Sequence, residues 1–194
     1  GGARVDAYQS ALSVLTANFN RYAYDARTAL YLAQVLSLAP PEVTIDRELL
    51  SAALVRAIEE SPKRSQSWYI LANLSISSAN AYPPRSAERI AGYAAAQDIL
   101  MRYIELVPTL SAPHFVLAQL LYASGKSADA ADEAMKGREY YREDLETARR
   151  AAVYYETVLD LPNAAFFLGE VVRLDPTDAA ALSDLAKIQA YESR

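Results

Sequence analysis

The chain has 194 residues, a net charge of −5 and an isoelectric point near 5.0, and 52% of its residues are hydrophobic. Nucleic acids and anionic membrane surfaces attract clusters of Lys and Arg, so an acidic chain is poorly suited to either partner. With no cysteine and a single histidine, the chain lacks the residues for disulfides, thiolate metal sites and Ser/His or Cys/His catalysis.

Apolar residues recur at helical spacing along nearly the whole chain, and prolines or polar turns separate the helical stretches. In chain order, the pattern predicts half a helix pair at 4–18, four complete pairs at 25–62, 65–108, 111–142 and 145–176, and a single final helix at 178–192. Asp25 and Ser111 are expected to cap the helices that start beside them, and Gly125 is expected to end one.

One arrangement of residues recurs in a constant register. Leu71 and Ala72 follow Trp68 by three and four residues, and Pro62 precedes it by six. An apolar or small pair stands in the same two later places after Ala29, His114, Ala148 and Leu182, and a proline precedes His114 and Leu182 by six residues. Successive intervals are 39, 46, 34 and 34 residues, which indicates insertions of 5 and 12 residues in a 34-residue period. Both insertions contain a Pro-Pro pair and are expected in turns.

This pattern resembles the tetratricopeptide (TPR) family, in which each 34-residue repeat forms two antiparallel helices. The large residue at the fourth position fills the space between the helices, and the small residue at the eighth lets them approach closely. Ala96, Leu100, Tyr103 and Pro108 stand at the family's spacings in a second helix. The resemblance covers nearly the whole chain and implies an all-α fold, a right-handed TPR α-solenoid of about ten antiparallel helices in a single array over 1–194.

Residues that could carry catalysis are few. His114 stands at a fourth position of the repeat and is expected to pack between two helices. Acidic pairs such as Asp132-Glu133 lie on faces that are expected to be solvated, and the six glycines form no phosphate-binding loop. We therefore predict that this segment is not an enzyme and uses no cofactor or metal ion.

In a TPR solenoid the opening helices of successive repeats line a concave groove, which positions 2, 5, 9 and 12 of each repeat face. Here these positions combine amides with aromatic rings, which suits an extended peptide because amides bond its backbone and rings cover its side chains. The predicted ligand-binding residues are Gln66, Tyr69, Asn73, Phe115, Gln119, Tyr122 and Arg149. The resemblance thus predicts a non-catalytic scaffold that binds a protein or peptide segment in its groove.

A second resemblance supplies an alternative function. The stretches 24–27 and 60–72 are similar to the soluble TPR tail of bacterial O-antigen ligase and polymerase-type membrane proteins. That similarity implies a domain that organises partners or substrate for glycan assembly, tethered to the bacterial inner membrane by an upstream portion. The Gly1-Gly2 start without Met is typical of an excised domain, and no run of residues here is apolar enough to insert in a membrane. An oligomerisation module, acting by self-association, is a further alternative.

Overall fold

The computed structural model describes residues 2–192, and over this range the chain forms ten α-helices and no β-strand. This confirms the predicted all-α class. The helices are α1 Gly2–Arg21, α2 Ala26–Ser37, α3 Arg47–Glu60, α4 Ser65–Asn80, α5 Ala87–Leu106, α6 Ser111–Ala123, α7 Ser127–Glu139, α8 Leu145–Thr157, α9 Leu161–Leu174 and α10 Ala179–Glu192. Within this range, no helix is both long and apolar enough to cross a membrane.

The chain divides into two compact units, Gly1–Leu106 and Val107–Arg194, which we call the first and second units. Consecutive helices pair within each of them: α2 with α3 and α4 with α5 in the first, α6 with α7 and α8 with α9 in the second. Helix α1 packs on α2, and α10 packs on α9. Leucine and alanine dominate the core around α2 and α3, whereas stacked and edge-on aromatic rings fill the core of the second unit.

Aspartates cap several helix N-termini, as the sequence predicted for Asp25. Its carboxylate accepts hydrogen bonds from the backbone N–H groups of Arg27 (3.0 Å) and Thr28 (3.1 Å). The prediction for Ser111 was wrong, because Leu110 occupies the N-cap position of α6 and makes no side-chain bond there. The hydroxyl of Ser111 instead donates to a backbone carbonyl of α7, since the close pairing of α6 with α7 brings that acceptor within reach.

Gly125 ends α6 in the left-handed conformation, with φ of 78°, as predicted. Helix α8 ends in the same way at Leu159, whose φ is 59° although its side chain is 79% exposed. Equivalent backbone bonds close both ends: Lys126 N–H donates to the carbonyl of Leu121, and Asp160 N–H donates to that of Tyr155. Glycine adopts this conformation without a steric cost, whereas leucine does so against one, so local sequence marks only the first of the two turns.

The repeat register corresponds to a hydrogen bond between a ring and a proline carbonyl. Trp68 Nε1 donates to the carbonyl oxygen of Pro62 at 2.9 Å, and His114 Nε2 lies 3.0 Å from the carbonyl oxygen of Pro108. In both repeats the ring at the fourth position therefore bonds the proline six residues before it. Trp68 and His114 are thus equivalent residues, each tying the start of an opening helix to the turn before it.

Small residues are buried where paired helices approach. At the eighth position of the repeats, each 2% exposed or less, stand Ala33, Ala72, Ala118 and Ala152. Position 20, in the second helix, is a buried alanine in three repeats, at Ala96, Ala130 and Ala164. Because an alanine side chain is one methyl group, two backbones can approach there without leaving a void.

The two insertions take different forms. The first stays in the turn between α2 and α3, as predicted, whereas the second mainly lengthens its helices: α4 and α5 have 16 and 20 residues, against 13 each for α6 and α7. The side chain of Arg89 ties the turn between α4 and α5 together. It donates to Asn80 Oδ1 (3.0 Å), the Tyr93 hydroxyl (2.9 Å) and the carbonyl of Tyr82 (3.3 Å).

The close approach of α4 and α5 at Gly92 is testable by adding one methyl group. A Cβ on Gly92 would lie 2.6 Å from the Cβ of Ala79, whereas one on the helical Gly169 would meet nothing within 4 Å. We expect Gly92→Ala to lower the free energy of unfolding by about 1–3 kcal/mol, because the two helices must move apart. The matched Gly169→Ala should raise it by about 0.5–1 kcal/mol through lower unfolded-state entropy. Urea titrations of both variants measure this, and equal effects would contradict the contact.

The only histidine is buried and contacts the carboxylate of Glu133. Its Nδ1 lies 2.7 Å from Glu133 Oε2, and Lys136 Nζ lies 2.7 Å from the other oxygen of that carboxylate. The carbonyl oxygen of Pro108 lies 3.0 Å from Nε2, so both ring nitrogens of this 3% exposed side chain have a polar partner.

Burial raises the pKa of Glu133, but hydrogen bonds from Lys136 and His114 outweigh it and leave this pKa below its ordinary value of 4.5. A carboxyl group with a lowered pKa stabilises the fold above its unfolded pKa, and that contribution is lost as pH falls through the folded pKa. We expect Glu133→Gln to lower the free energy of unfolding at pH 7 by about 1–3 kcal/mol, with the gap to wild type shrinking below pH ~4.5. Denaturant titrations across this pH range measure the effect.

The exposed Glu139, on the same helix, provides the control. Glu139→Gln should change the free energy of unfolding by less than about 0.5 kcal/mol at any of these pH values. A loss in Glu133→Gln that stayed the same at low pH would show that the carboxylate charge contributes nothing there.

Candidate functional site

Three predicted ligand residues lie on one face of α4 in the first unit, because Gln66, Tyr69 and Asn73 are three and four residues apart. Gln66 is exposed, and the other two are half-buried. The amide nitrogen of Asn73 donates to the carbonyl oxygen of Tyr69 at 3.0 Å, and the Tyr69 ring packs 5.6 Å from that of Tyr103. The α4 surface therefore offers a solvent-exposed amide, a partly covered ring and an amide whose oxygen stays available.

Three more predicted ligand residues, Phe115, Gln119 and Tyr122, lie on α6 in the second unit and differ in their exposure to solvent. Tyr122 is 37% exposed, and the half-buried Gln119 reaches the neighbouring opening helix, where its Nε2 lies 3.4 Å from the carbonyl oxygen of Arg150. Phe115, in contrast, is fully buried at 0% exposure. Phe115 therefore cannot contact a partner, and its prediction as a ligand residue is corrected.

A ring at position 5 of a repeat faces one residue on the second helix of that repeat. The size of this facing residue decides whether the ring is buried. In the first unit that residue is Tyr103, which keeps Tyr69 half-exposed. In the second unit it is Gly137, on which an added Cβ would lie 2.9–3.1 Å from three ring atoms of Phe115. The missing side chain leaves room for the Phe115 ring to sink onto α7. In the sequence, Gly137 was the residue that could have indicated the burial of Phe115. Its effect is visible only once α6 is known to pair with α7.

Arg149, the remaining predicted ligand residue, is held by carboxylates of the chain itself. Its guanidinium lies 2.9 Å from Asp175 and 2.9 Å from Asp178, and so links α8 to the turn between α9 and α10. Hydrogen bonds from Thr177 and from the Ala181 backbone lead in lowering the pKa values of Asp175 and Asp178, respectively, and Arg149 lowers both further. A partner would therefore have to compete with these carboxylates to bind Arg149.

The candidates for catalysis are engaged in the fold. His114 is buried and bonded on both ring nitrogens, and Glu133 bonds both His114 and Lys136. Across residues 2–192, no group of three or more Asp, Glu or His side chains is placed to hold a metal ion.

A cleft that the sequence did not predict lies between α7, α8 and α9 in the second unit. We call it the α7–α9 cleft, and its volume is about 290 Å³. The residues that line it are Tyr122, Ser127, Ala131, Ala134, Met135, Arg138, Tyr154, Tyr155, Val158, Asp160 and Asn163. The available signal was the pair Tyr154-Tyr155, because tyrosines in a core carry hydroxyls that need a hydrogen-bond partner or an opening to solvent.

Neither a protein-family model nor a curated protein matches this chain in sequence. Solved structures nevertheless share its fold. TTC0263, a thermophilic TPR protein in Thermus thermophilus, has a TM-score of 0.69 at 13% identity, over 94% of this chain and 91% of that one. YrrB, described as a TPR protein with an unusual peptide-binding site, scores 0.58 at 17% identity, over 92% and 84%. MamA scores 0.61 at 14% identity, over 89% and 91%. The fold is therefore that of a TPR α-solenoid.

The different roles of Phe115 and Tyr122 can be tested by truncation. We expect Phe115→Ala to lower the free energy of unfolding by about 3–5 kcal/mol, since it empties the centre of an aromatic core. Tyr122→Ala, on the same helix, should cost about 1 kcal/mol or less because much of its ring is already in solvent. Chemical denaturation of both variants provides the measurement. A loss of unfolding free energy below about 1 kcal/mol for Phe115→Ala would contradict the burial of that ring.

Proposed function

We propose that this chain is a protein-binding scaffold that holds a peptide or protein segment against the opening helices of its repeats, without catalysing a reaction. The observation that carries the proposal is the α6–α8 face of the second unit. There the amide of Gln119 reaches across to α8, and solvent-accessible apolar groups stand beside it on both helices, namely Tyr122 and Val153, the latter 52% exposed. The peptide-binding site stated for YrrB, which has the same fold, supports this assignment.

The chemistry of the face suits an extended backbone. A Gln side chain has two N–H donors and one carbonyl acceptor, and only one donor of Gln119 is used by the Arg150 carbonyl. The other donor and the oxygen are available to a peptide group, while Tyr122 and Val153 can cover an apolar side chain. Contacts of this kind contribute about 0.5–1.5 kcal/mol each, so several together give measurable affinity.

The α4 face of the first unit, with Gln66, Tyr69 and Asn73, is a separate candidate for the same role. Its half-buried ring and two amides repeat the chemistry of the α6–α8 face. The parentage in an O-antigen ligase or polymerase-type protein and the self-association module stay predictions from the sequence.

The double variant Gln119→Ala/Val153→Ser tests the α6–α8 face. We expect affinity-purified wild-type protein to retain partners from a native lysate that the variant retains about tenfold less, since two contacts are lost. Quantitative mass spectrometry of the captured proteins gives the ratio, and a thermal melt checks folding. Leu159→Ser, which alters an exposed apolar residue in a turn, is the matched control. An unchanged set of partners at an unchanged melting temperature would contradict the proposal.

A further inference from the structure

The shape of the α7–α9 cleft suits a short length of extended chain. Ser127, Ala131, Ala134 and Arg138 follow one another along a single face of α7, so the cleft runs beside nearly the whole helix. Eleven residues of α-helix span about 16 Å, which equals roughly five residues of extended peptide. Alanine, methionine and valine side chains form much of the wall, and Met135 is 62% exposed.

Two mostly buried tyrosines line this cleft, and their hydroxyls are free to bond a ligand. Tyr154 is 3% exposed and Tyr155 is 6% exposed, and neither hydroxyl makes a hydrogen bond to any residue within 2–192. Burial is the main cause that raises the pKa of both, the charge of Arg138 lowers that of Tyr155 in part, and the charge of Asp160 raises both. Neither hydroxyl is among the buried side-chain atoms that lack a partner, so each can donate to a group in the cleft that accepts hydrogen bonds.

The guanidinium of Arg138 brings a positive charge to the cleft. Arg138 donates to Asn163 Oδ1, a neutral acceptor, and lies over the ring of Phe166 at 5.7 Å. Among the residues that the structure describes, Arg138 forms no salt bridge, although its guanidinium has five N–H donors.

Asp160 supplies the carboxylate in the cleft, and both of its oxygens already accept hydrogen bonds from Asn163. One of its oxygens accepts from the backbone N–H of Asn163 at 3.2 Å, and the other accepts from Asn163 Nδ2 at 2.7 Å. It thereby caps α9, and the helix N-terminus offsets part of its charge. The groups left with unused hydrogen-bonding capacity are therefore mainly donors: the guanidinium of Arg138 and the hydroxyls of Tyr154 and Tyr155.

From this combination we propose that the α7–α9 cleft is a docking site for a short acidic segment of a partner protein. An apolar side chain of that segment lies against Ala131, Met135 and Val158, and a neighbouring Asp or Glu carboxylate accepts hydrogen bonds from Arg138 and from the tyrosine hydroxyls. The cleft shares Tyr122 with the α6–α8 face, but the proposal does not depend on binding at Gln119 and Val153.

The test uses synthetic fluorescein-labelled hexapeptides, each with one Leu, Met or Phe and, one to three positions away, a Glu, Gln or Lys, with Gly and Ser elsewhere. Fluorescence anisotropy with the full chain should show Glu peptides binding about tenfold tighter than their Gln counterparts, since a charged acceptor strengthens the bonds. Lys peptides should bind weakest. Equal affinity for Glu and Gln peptides, or no binding by any peptide, would overturn the proposal.

Three variants separate recognition from folding. Arg138→Gln should remove the preference for Glu, whereas the matched Arg142→Gln, whose side chain bonds only backbone carbonyls, should keep it. Ala131→Phe fills the cleft and should weaken all the peptides. The double variant Tyr154→Phe/Tyr155→Phe retains both rings, so we expect several-fold weaker Glu binding at an unchanged or higher melting temperature. Unchanged binding in any of the three cleft variants would count against the site.

Two outcomes would identify a different occupant or surface. Concentration-dependent self-association in sedimentation, abolished by Ala131→Phe, would mean that a second copy of this chain fills the cleft, and would overturn the acidic-segment proposal. Loss of Glu-peptide binding in Gln119→Ala/Val153→Ser would place these peptides on the α6–α8 face instead. The proposal expects neither result.

Discussion

The seating of Phe115 on the backbone of α7 at Gly137 is the contact on which the second unit depends. Its ring meets Tyr154, Tyr155 and Phe167 at centroid distances of 5.6–6.5 Å, so one side chain joins α7, α8 and α9. Edge-on aromatic contacts of this kind add to the free energy gained from burial. A Cβ at residue 137 would lie 2.9–3.1 Å from three atoms of this ring, so the ring or α7 would have to shift.

The α7–α9 cleft follows from the same contact. The rings of Tyr154 and Tyr155 face Phe115 on one side and the cleft on the other, so the core fixes where their hydroxyls lie. A binding site built on rings held by a packed core is preorganised, and a ligand loses little affinity in ordering it. The opening-helix surface is constructed differently, from exposed side chains such as Val153 and from amides such as Gln119 that also bond the protein itself.

Two hydrogen bonds show why the repeat register persists although the residue at the fourth position changes. Tryptophan and histidine differ in size and charge, yet both place a ring N–H beside the carbonyl of the proline six residues earlier. The second ring nitrogen of histidine also contacts the Glu133 carboxylate on α7, a contact that tryptophan cannot make. The two repeats therefore share the position of a ring beside the proline carbonyl, although the residue that supplies the ring differs. His114 stabilises the fold of the second unit.

The sequence by itself determined the features that depend on residues near one another in the chain. Helix periodicity, the Asp25 cap, the Gly125 turn and the 34-residue register were all predictable, because each rests on local backbone preferences or on a spacing repeated several times. Which of these side chains reach solvent was decided only by the tertiary structure. Phe115 is buried because Gly137 faces it from another helix, Arg149 is held by Asp175 and Asp178 from a later turn, and the cleft exists only where α7, α8 and α9 meet. Burial and charge pairing depend on neighbours that the fold brings together from distant parts of the chain.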